Sequence, residues 1–297
     1  MSVNDATGSG AQGPVSPGPI ERGRVAVVTG AASGIGQGLS ERFAAEGMHV
    51  VMADVEEPAL SKAAAELTEA GASVLPVITD VSDRAAVDDL RDTALYAFGA
   101  VHVVCNNAGV GGSHGPLWEC PPGEWDWVLG VNLEGVMNGV RTFMPVLLDQ
   151  DTGHLLNTSS VFGVFAGSLG PYGVSKHAVT ALTETLHFTL KSLGVTHVGV
   201  SVLCPGAVRT NFNASARNRP ASAGAAVSDE AEQASAERFN ELSLLGASPA
   251  EVAGMVTDGI RSRRFYILTS DNRHESIRRR GQEIVAGAPP EPPVPFI

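Results

Sequence analysis

The sequence predicts a single-domain α/β fold, a doubly wound parallel sheet of about seven strands with helices on both faces. Three observations predict it. The apolar, β-branched run 24–29 passes directly into a glycine loop and then into a helix. Short apolar runs of the same kind recur with helical stretches between them, a pattern that builds a parallel sheet covered on both faces. The 297 residues are long for one domain by simple division, yet an α/β sheet of this size is commonly a single unit.

The first strand, 24–29, is bounded by Gly23 and Gly30 and reads as buried. In the loop Thr29–Gly36, the glycines Gly30, Gly34 and Gly36 allow a tight turn, close backbone approach to a pyrophosphate, and a helix N-terminus aimed at that anion. A helix follows over Ile35–Ala45, with Ile35, Leu39 and Phe43 on one face, and Gly47 stops it. A glycine motif between a strand and a helix is the context that dinucleotide binding requires. The second strand, 49–53, ends in Asp54, and Glu56, Glu57 and Pro58 then resemble a helix start. Further strands are expected near 73–78, 101–105, 153–159, 198–203 and 265–269. Between the fourth and fifth, the segment Glu124–Leu148 carries apolar residues at helical spacing, interrupted by Asn132, a poor choice for a helix interior. In such a sheet the ligand cleft lies at the carboxyl ends of the strands, where their order reverses.

Asp54 stands about twenty residues past the glycine loop, where a carboxylate can accept both ribose hydroxyls and would repel a 2′-phosphate. No Arg or Lys lies inside the loop or directly after Asp54. The reading therefore favours NAD over NADP, with a turn or helix-capping aspartate as the alternative. Tyr172 and Lys176 are neighbours on one face if their segment is helical, and alone they read as an ordinary solvated pair. Behind a dinucleotide loop they acquire a chemical reading. Oxidising an alcohol needs a base for the hydroxyl proton, and a phenol of pKa about 10 is mostly protonated at neutral pH. The Lys176 ammonium is expected to favour the phenolate. Ser160 supplies a hydroxyl that can hold the substrate oxygen within reach of Tyr172. Strand alternation lets only one of Ser159 and Ser160 face the tyrosine. Ser168 and Ser175 read as loop and helix-surface hydroxyls, and His177 as structural. His102, His114, His154 and His187 show no ligand spacing, so no metal is expected.

With these motifs in this order, residues 21–270 resemble the short-chain dehydrogenase/reductase family, which has a Rossmann-type fold. Thr29–Gly36 matches that family's T-G-x-x-x-G-I-G loop, Asp80 and Val81 its adenine-contacting dipeptide, Asn106–Gly109 its N-N-A-G segment, and Pro205–Thr210 its P-G-x-x-x-T segment. Asn132, Ser160, Tyr172 and Lys176 fall where the family keeps its catalytic tetrad. The resemblance implies an NAD(P)-dependent oxidoreductase acting on CH–OH groups, with Ser160 rather than Ser159 as the catalytic serine. It implies that the cofactor meets Gly30, Ser33, Gly34, Ile35, Gly36, Asp54, Asp80, Val81, Asn107, Ala108, Gly109, Tyr172, Lys176, Pro205, Gly206, Val208 and Thr210. It further implies that Asn132 opens its helix and holds a water that passes the proton outward, that Thr210 meets the carboxamide, and that Lys176 also holds the nicotinamide ribose. A fainter resemblance, carried by the residues around Asn132 and by Ser215–Pro220, is to bacterial aryl-alcohol dehydrogenases.

Composition agrees with a soluble enzyme. Hydrophobic residues make up 43% and aromatic residues 5%, and a formal charge of −12 argues against binding nucleic acid through its phosphates. The basic clusters at Arg261, Arg263 and Arg264 and at Arg278, Arg279 and Arg280 read as solvated helix ends or interface residues. Cys105, Cys120 and Cys204 are odd in number and widely spaced, which suggests reduced thiols and a cytoplasmic setting. No apolar stretch reaches about eighteen uncharged residues, and no basic segment precedes a hydrophobic one at the N-terminus, so neither membrane nor export is expected. Residues 1–20, rich in Gly, Pro, Ser and Ala, read as a flexible leader.

The substrate is expected to be a small-molecule alcohol or ketone. Residues 211–245, rich in Ala, Ser and Asn, occupy the place where similar enzymes carry a lid, with a plain surface excursion as the alternative. Phe162, Phe165, Leu169, Trp118 and Phe212 could line an apolar cleft, which favours a hydrophobic or aromatic secondary alcohol over a sugar. Residues 271–297 form an extension that lacks the family's Gly-rich segment after the last strand and ends in a Pro-rich run. A homodimer on the helices of Asn132 and Tyr172 is the expected minimum, with a homotetramer as the larger assembly. Two rival classes are a non-catalytic NAD-sensing or scaffold protein, which should have lost a tetrad member, and a nucleotide-sugar epimerase or dehydratase, which needs a larger C-terminal domain than follows Thr210.

Overall fold

The computed structural model describes residues 18–112, 116–167, 169–224, 241, 243–270 and 274–292. Its chain alternates strand and helix: β1 Val25–Thr29, α1 Gly34–Ala45, β2 His49–Asp54, α2 Glu57–Glu69, β3 Val74–Ile78, α3 Arg84–Phe98 and β4 Val103–Asn106. There follow α4 Pro122–Leu129, a π-helical turn Gly130–Glu134, α5 Gly135–Leu148, β5 Gly153–Thr158, α6 Gly170–Ser192, β6 Val198–Cys204, α7 Pro249–Arg261, β7 Tyr266–Leu268 and α8 His274–Ala286. The seven strands are all parallel, in the order β3-β2-β1-β4-β5-β6-β7. The order reverses between β1 and β4, paired with Val28 opposite Cys105, so the cleft expected at the carboxyl ends lies after Thr29 and Asn106.

β1 explains why its sequence carries no polar alternation. All five of its residues are buried, Ala26 and Val28 in one core and Val25 and Val27 in the other. The first core packs α1, α2 and α7 through Leu39, Phe43, Leu60, Val252, Val256 and Ile260. The second packs α3, α5 and α6 through Leu90, Phe143, Leu147 and Leu190. Each such side chain taken fully from water contributes about 1.5–3 kcal/mol. α1 and α7 meet so closely that a Cβ on Gly38 would lie 2.8 Å from the Pro249 backbone.

Glu124–Leu148 is one helical path interrupted by a π-turn at Asn132, the opening expected there. Two details depart from the sequence reading. Ile20, assigned to the leader, is buried in the first core. Residues 274–286, read only as extension, form α8, whose Ile277 packs against the small cluster of Val161, Phe162 and Phe165. Most of the leader, residues 1–17, and most of the expected lid, 225–240 and 242, lie outside the described residues. Among the described residues no helix is long and apolar enough to cross a membrane.

Candidate active site

The loops after β1 and β4 are tied together by Thr29. Its Oγ1 accepts the backbone N–H of Asn107 at 2.9 Å and of Ala108 at 3.0 Å, while Asn107 Nδ2 donates to the Thr29 carbonyl at 2.9 Å. Gly30, at φ 66°, passes so near Ala108 that a Cβ would lie 2.8 Å from its Cα. Gly36 is tighter still, since a Cβ there would stand 2.0 Å from the Gly30 carbonyl oxygen. The two glycines keep a flat cradle, and the first turn of α1 opens into it with the unpaired N–H groups that suit an anion.

A cavity of about 510 Å³ runs over this cradle from Asp54 to Ser160 and Tyr172. Every residue expected to meet the cofactor lines it except Gly36, which supports the loop from behind. At one end, Asp54 Oδ2 accepts the Ala32 N–H at 2.9 Å and Oδ1 the Glu56 N–H at 3.0 Å. Asp54 therefore braces the glycine loop and its own turn; the N-cap of α2 is Glu56. Asp80 Oδ1 likewise closes its own turn, accepting from Ser82 N at 2.9 Å and Ser82 Oγ at 2.7 Å. Thr210 hangs above the loop, where its methyl would meet a Cβ on Gly34 at 3.0 Å.

At the other end the four tetrad residues converge from three elements. Ser160 follows β5, and its hydroxyl accepts the Phe162 N–H at 3.2 Å and stands close enough to Tyr172 to favour the phenolate. Ser159 points the opposite way, into α6, donating to the Lys176 carbonyl at 2.7 Å and bonding Thr180 Oγ1 at 2.8 Å. Lys176 is buried, with Nζ donating to the Thr158 carbonyl at 3.0 Å and lying 5.7 Å from the centroid of the Tyr172 ring. Asn132 does not line the cavity. Fully buried in its π-turn, it grips Val110 by both backbone groups, accepting from N at 2.8 Å and donating to O at 2.9 Å, and donates to Ser175 Oγ at 3.1 Å.

The expected lowering of the Tyr172 pKa by Lys176 is not what the structure gives. Burial pushes the phenol up to about 12, with the nearby Ser160 hydroxyl acting the other way, and the same burial brings Lys176 down to about 8. Desolvation disfavours both charged forms, and for the phenol it outweighs the help that Ser160 gives to the phenolate. Ser175 also differs from its reading as a surface hydroxyl: it is buried, donates to the Tyr172 carbonyl at 2.7 Å, and receives Asn132. His177 is structural as read, with Nδ1 donating to the Gly173 carbonyl at 3.1 Å and Nε2 accepting from Arg280 of α8 at 2.8 Å.

Beyond the tetrad the wall is apolar, formed by Val110, Trp127, Val131, Phe162 and Phe212. Trp118, expected in the cleft, is 85% exposed, and Phe165 packs in a small core instead. Trp127 was not singled out in the sequence because it lies within a continuous helical apolar pattern. The lid segment is fastened more firmly than its composition suggests. Arg219 pairs with the fully buried Glu124, stacks over Trp127 at 5.6 Å, and donates to the Ala223 and Gly224 carbonyls, both at 3.0 Å. Arg217 reaches the Asp54 end of the cavity from far downstream, which local sequence could not reveal, and is committed there to Glu56.

A flat glycine cradle, a helix N-terminus, a ribose-height carboxylate and a Tyr–Ser–Lys cluster along one cavity fit a nicotinamide dinucleotide beside an alcohol. The family model for short chain dehydrogenase matches residues 24–221. The chain belongs to the short-chain dehydrogenase/reductase family. Among its relatives, 1-deoxy-11-beta-hydroxypentalenate dehydrogenase of Streptomyces exfoliatus is 41% identical over 91% of this chain and 92% of its own. C alpha-dehydrogenase of a Sphingobium species is 33% identical over 90% and 87%. Among solved structures, a short-chain dehydrogenase/reductase from Burkholderia phymatum in complex with NAD superposes with a TM-score of 0.89 at 41% identity, covering 93% of this chain and 99% of that one. This family member is thus an NAD(P)-dependent oxidoreductase that acts on CH–OH groups.

Proposed function

We propose that the protein oxidises a hydrophobic or aromatic secondary alcohol with NAD, Tyr172 serving as the acid/base. One observation carries this reading: the hydroxyls of Tyr172 and Ser160 meet at the end of the glycine-floored cavity, against a wall of Val110, Trp127, Val131, Phe162 and Phe212. Bound NAD supplies the hydride acceptor. Ser160 Oγ and Tyr172 Oη hold the substrate oxygen, and Tyr172, once deprotonated in the loaded cleft, receives its proton as the carbonyl forms and becomes the neutral phenol. Lys176 lies close enough to steady the phenolate that must stand ready before this transfer, and Asn132 fixes the Val110 backbone in the wall rather than touching substrate. The relative named for 1-deoxy-11-beta-hydroxypentalenate supports a hydroxyl-bearing substrate, and the apolar wall supports a hydrophobic one. Asp54 at the ribose end supports NAD over NADP, since its carboxylate would face a 2′-phosphate, and the nearby Arg217 is already paired with Glu56.

Self-association is supported by Val174 and Phe188, which stand 47% and 64% exposed on α6, the helix expected to form a dimer. The buried free thiols of Cys105 and Cys204 suit a reducing, cytoplasmic compartment. The test is absorbance of NADH while the protein is offered NAD or NADP with aryl, alicyclic, steroid and sugar alcohols. NADH formation with an apolar class, abolished in Tyr172→Phe while NADH affinity stays within about twofold, is expected. Turnover retained by Tyr172→Phe would sink the mechanism, and silence across the panel despite dinucleotide binding would favour a sensor.

A further inference from the structure

The 3₁₀ segment Phe212–Asn218 lies along the cavity and is fastened at three places. At the catalytic end the Phe212 ring tilts against Tyr172, with centroids 5.6 Å apart. Midway, the Gly111 N–H donates to Ser215 Oγ at 2.9 Å, and Ser215 is buried. At the Asp54 end Arg217 donates Nε to Glu56 Oε2 at 3.2 Å and Nη2 to Oε1 at 2.5 Å, while Asn218 Nδ2 donates to Oε1 at 2.6 Å. Phe212, Ser215, Arg217, Asn218 and Glu56 all line the cavity that runs from Tyr172 to Asp54. A ligand reaching from one end to the other therefore lies beside this segment over its whole length.

We propose that Phe212–Asn218 is a strap across the dinucleotide cleft, and that the Arg217–Glu56 junction is the latch whose opening sets how fast the dinucleotide leaves. The inference rests on the dinucleotide reading above. The first two fastenings lie near the point where the segment leaves Thr210, so they hold an end that is already covalently tethered. Glu56 belongs to the turn after β2, across the cleft and 161 residues away in sequence, so its bond to Arg217 joins the two banks. It is also the fastening that water can replace, since the Arg217 and Glu56 side chains are 40% and 25% exposed whereas Ser215 is buried. Forked hydrogen bonding to a carboxylate gives such a pair a defined geometry, and Arg217 holds the Glu56 carboxyl below the usual range, so the latch stays charged at neutral pH.

The latch predicts a rate rather than a loss of fold. NADH-loaded protein is mixed with excess NAD, and the fall in NADH fluorescence times release for wild type, Glu56→Gln, Arg217→Gln and the double variant. Each single variant is expected to speed release about fivefold, the size suited to one partly exposed ion pair. The double variant should be no faster than the faster single, and added salt should speed wild type but neither single variant. Unchanged release in both single variants while NADH still binds, or effects that multiply in the double variant, would overturn the latch. Failure of the wild type to bind NADH at all would overturn the dinucleotide reading beneath it.

Discussion

Lys176→Met should make the protein more stable at neutral pH and inactive, and the stability gain should vanish as pH rises. Lys176 is 3% exposed, and burial brings its ammonium from the ordinary 10.5 to about 8. That fall corresponds to roughly 3 kcal/mol by which the fold disfavours the protonated lysine. The cost is fully present below pH 8, where folded and unfolded chains both carry the proton. Between pH 8 and 10.5 the unfolded chain binds more protons than the folded one, so wild-type stability rises with pH in that window. Methionine removes the charge and keeps most of the packing, but it leaves the Thr158 carbonyl without the 3.0 Å bond from Nζ, a loss of about 1–2 kcal/mol. The variant should thus be more stable than wild type by about 1–2 kcal/mol at pH 7 and less stable by about 1 kcal/mol near pH 10. Tyr172, pushed up to about 12, contributes stability that is full below pH 10 and lost toward pH 12, and it is common to both proteins. Urea denaturation at pH 7, 8.5 and 9.8 reads the difference directly. A difference that stays constant across those three values would refute the claim that burial, rather than a compensating partner, governs Lys176.

Three further outcomes follow from the same geometry. Asp54→Ala should weaken NAD binding and narrow the preference over NADP, checked by fluorescence titration with both reduced dinucleotides; an unchanged ratio would place discrimination elsewhere. Gly36→Ala puts a methyl 2.0 Å from the Gly30 carbonyl and should cost about 1–3 kcal/mol of stability while displacing the cradle, so NADH affinity falls as well. Arg219→Met strips the buried Glu124 of its ion pair and should destabilise by about 3–5 kcal/mol, with Glu124→Gln restoring much of the loss in the double variant, as thermal denaturation would show.

The fold was legible because its signals are contiguous. Each strand is a short apolar run, and at β1 both faces are buried, so the run needs no alternation and stands out against the polar helix surfaces around it. The sequence places the β4 boundary about two residues early because Val101 and His102 are buried beside it and His102 already bonds both flanking strands, its N–H donating to the Val25 carbonyl at 2.9 Å and its carbonyl accepting the His154 N–H at 2.8 Å. α8 was missed for the opposite reason. Its surface is almost wholly charged or exposed, with Ile277 making the one packing contact with the aromatic cluster, so helical periodicity of apolar residues is too sparse to read.

The site divides along the same line. The glycine loop, Asp54, Ser160 and the Tyr172–Lys176 pair are local motifs, and strand alternation alone separates Ser160 from Ser159, whose hydroxyl the structure turns into α6. What local pattern cannot hold is a contact made at long separation or an energy set by surroundings. Arg217 reaches Glu56, and Asn132 reaches Val110, only once the sheet has brought their loops together. The Tyr172 pKa has the opposite sign from the one the motif suggests for the same cause, because the helix that brings Lys176 beside the phenol also buries both, and burial discourages each charge. A free enzyme holding its phenol protonated is arranged to give a proton rather than to take one. Removal of that proton for alcohol oxidation therefore depends on positive potential or hydrogen bonding that arrives with the ligands, and the pH dependence of alcohol oxidation belongs to the loaded cleft rather than to the motif.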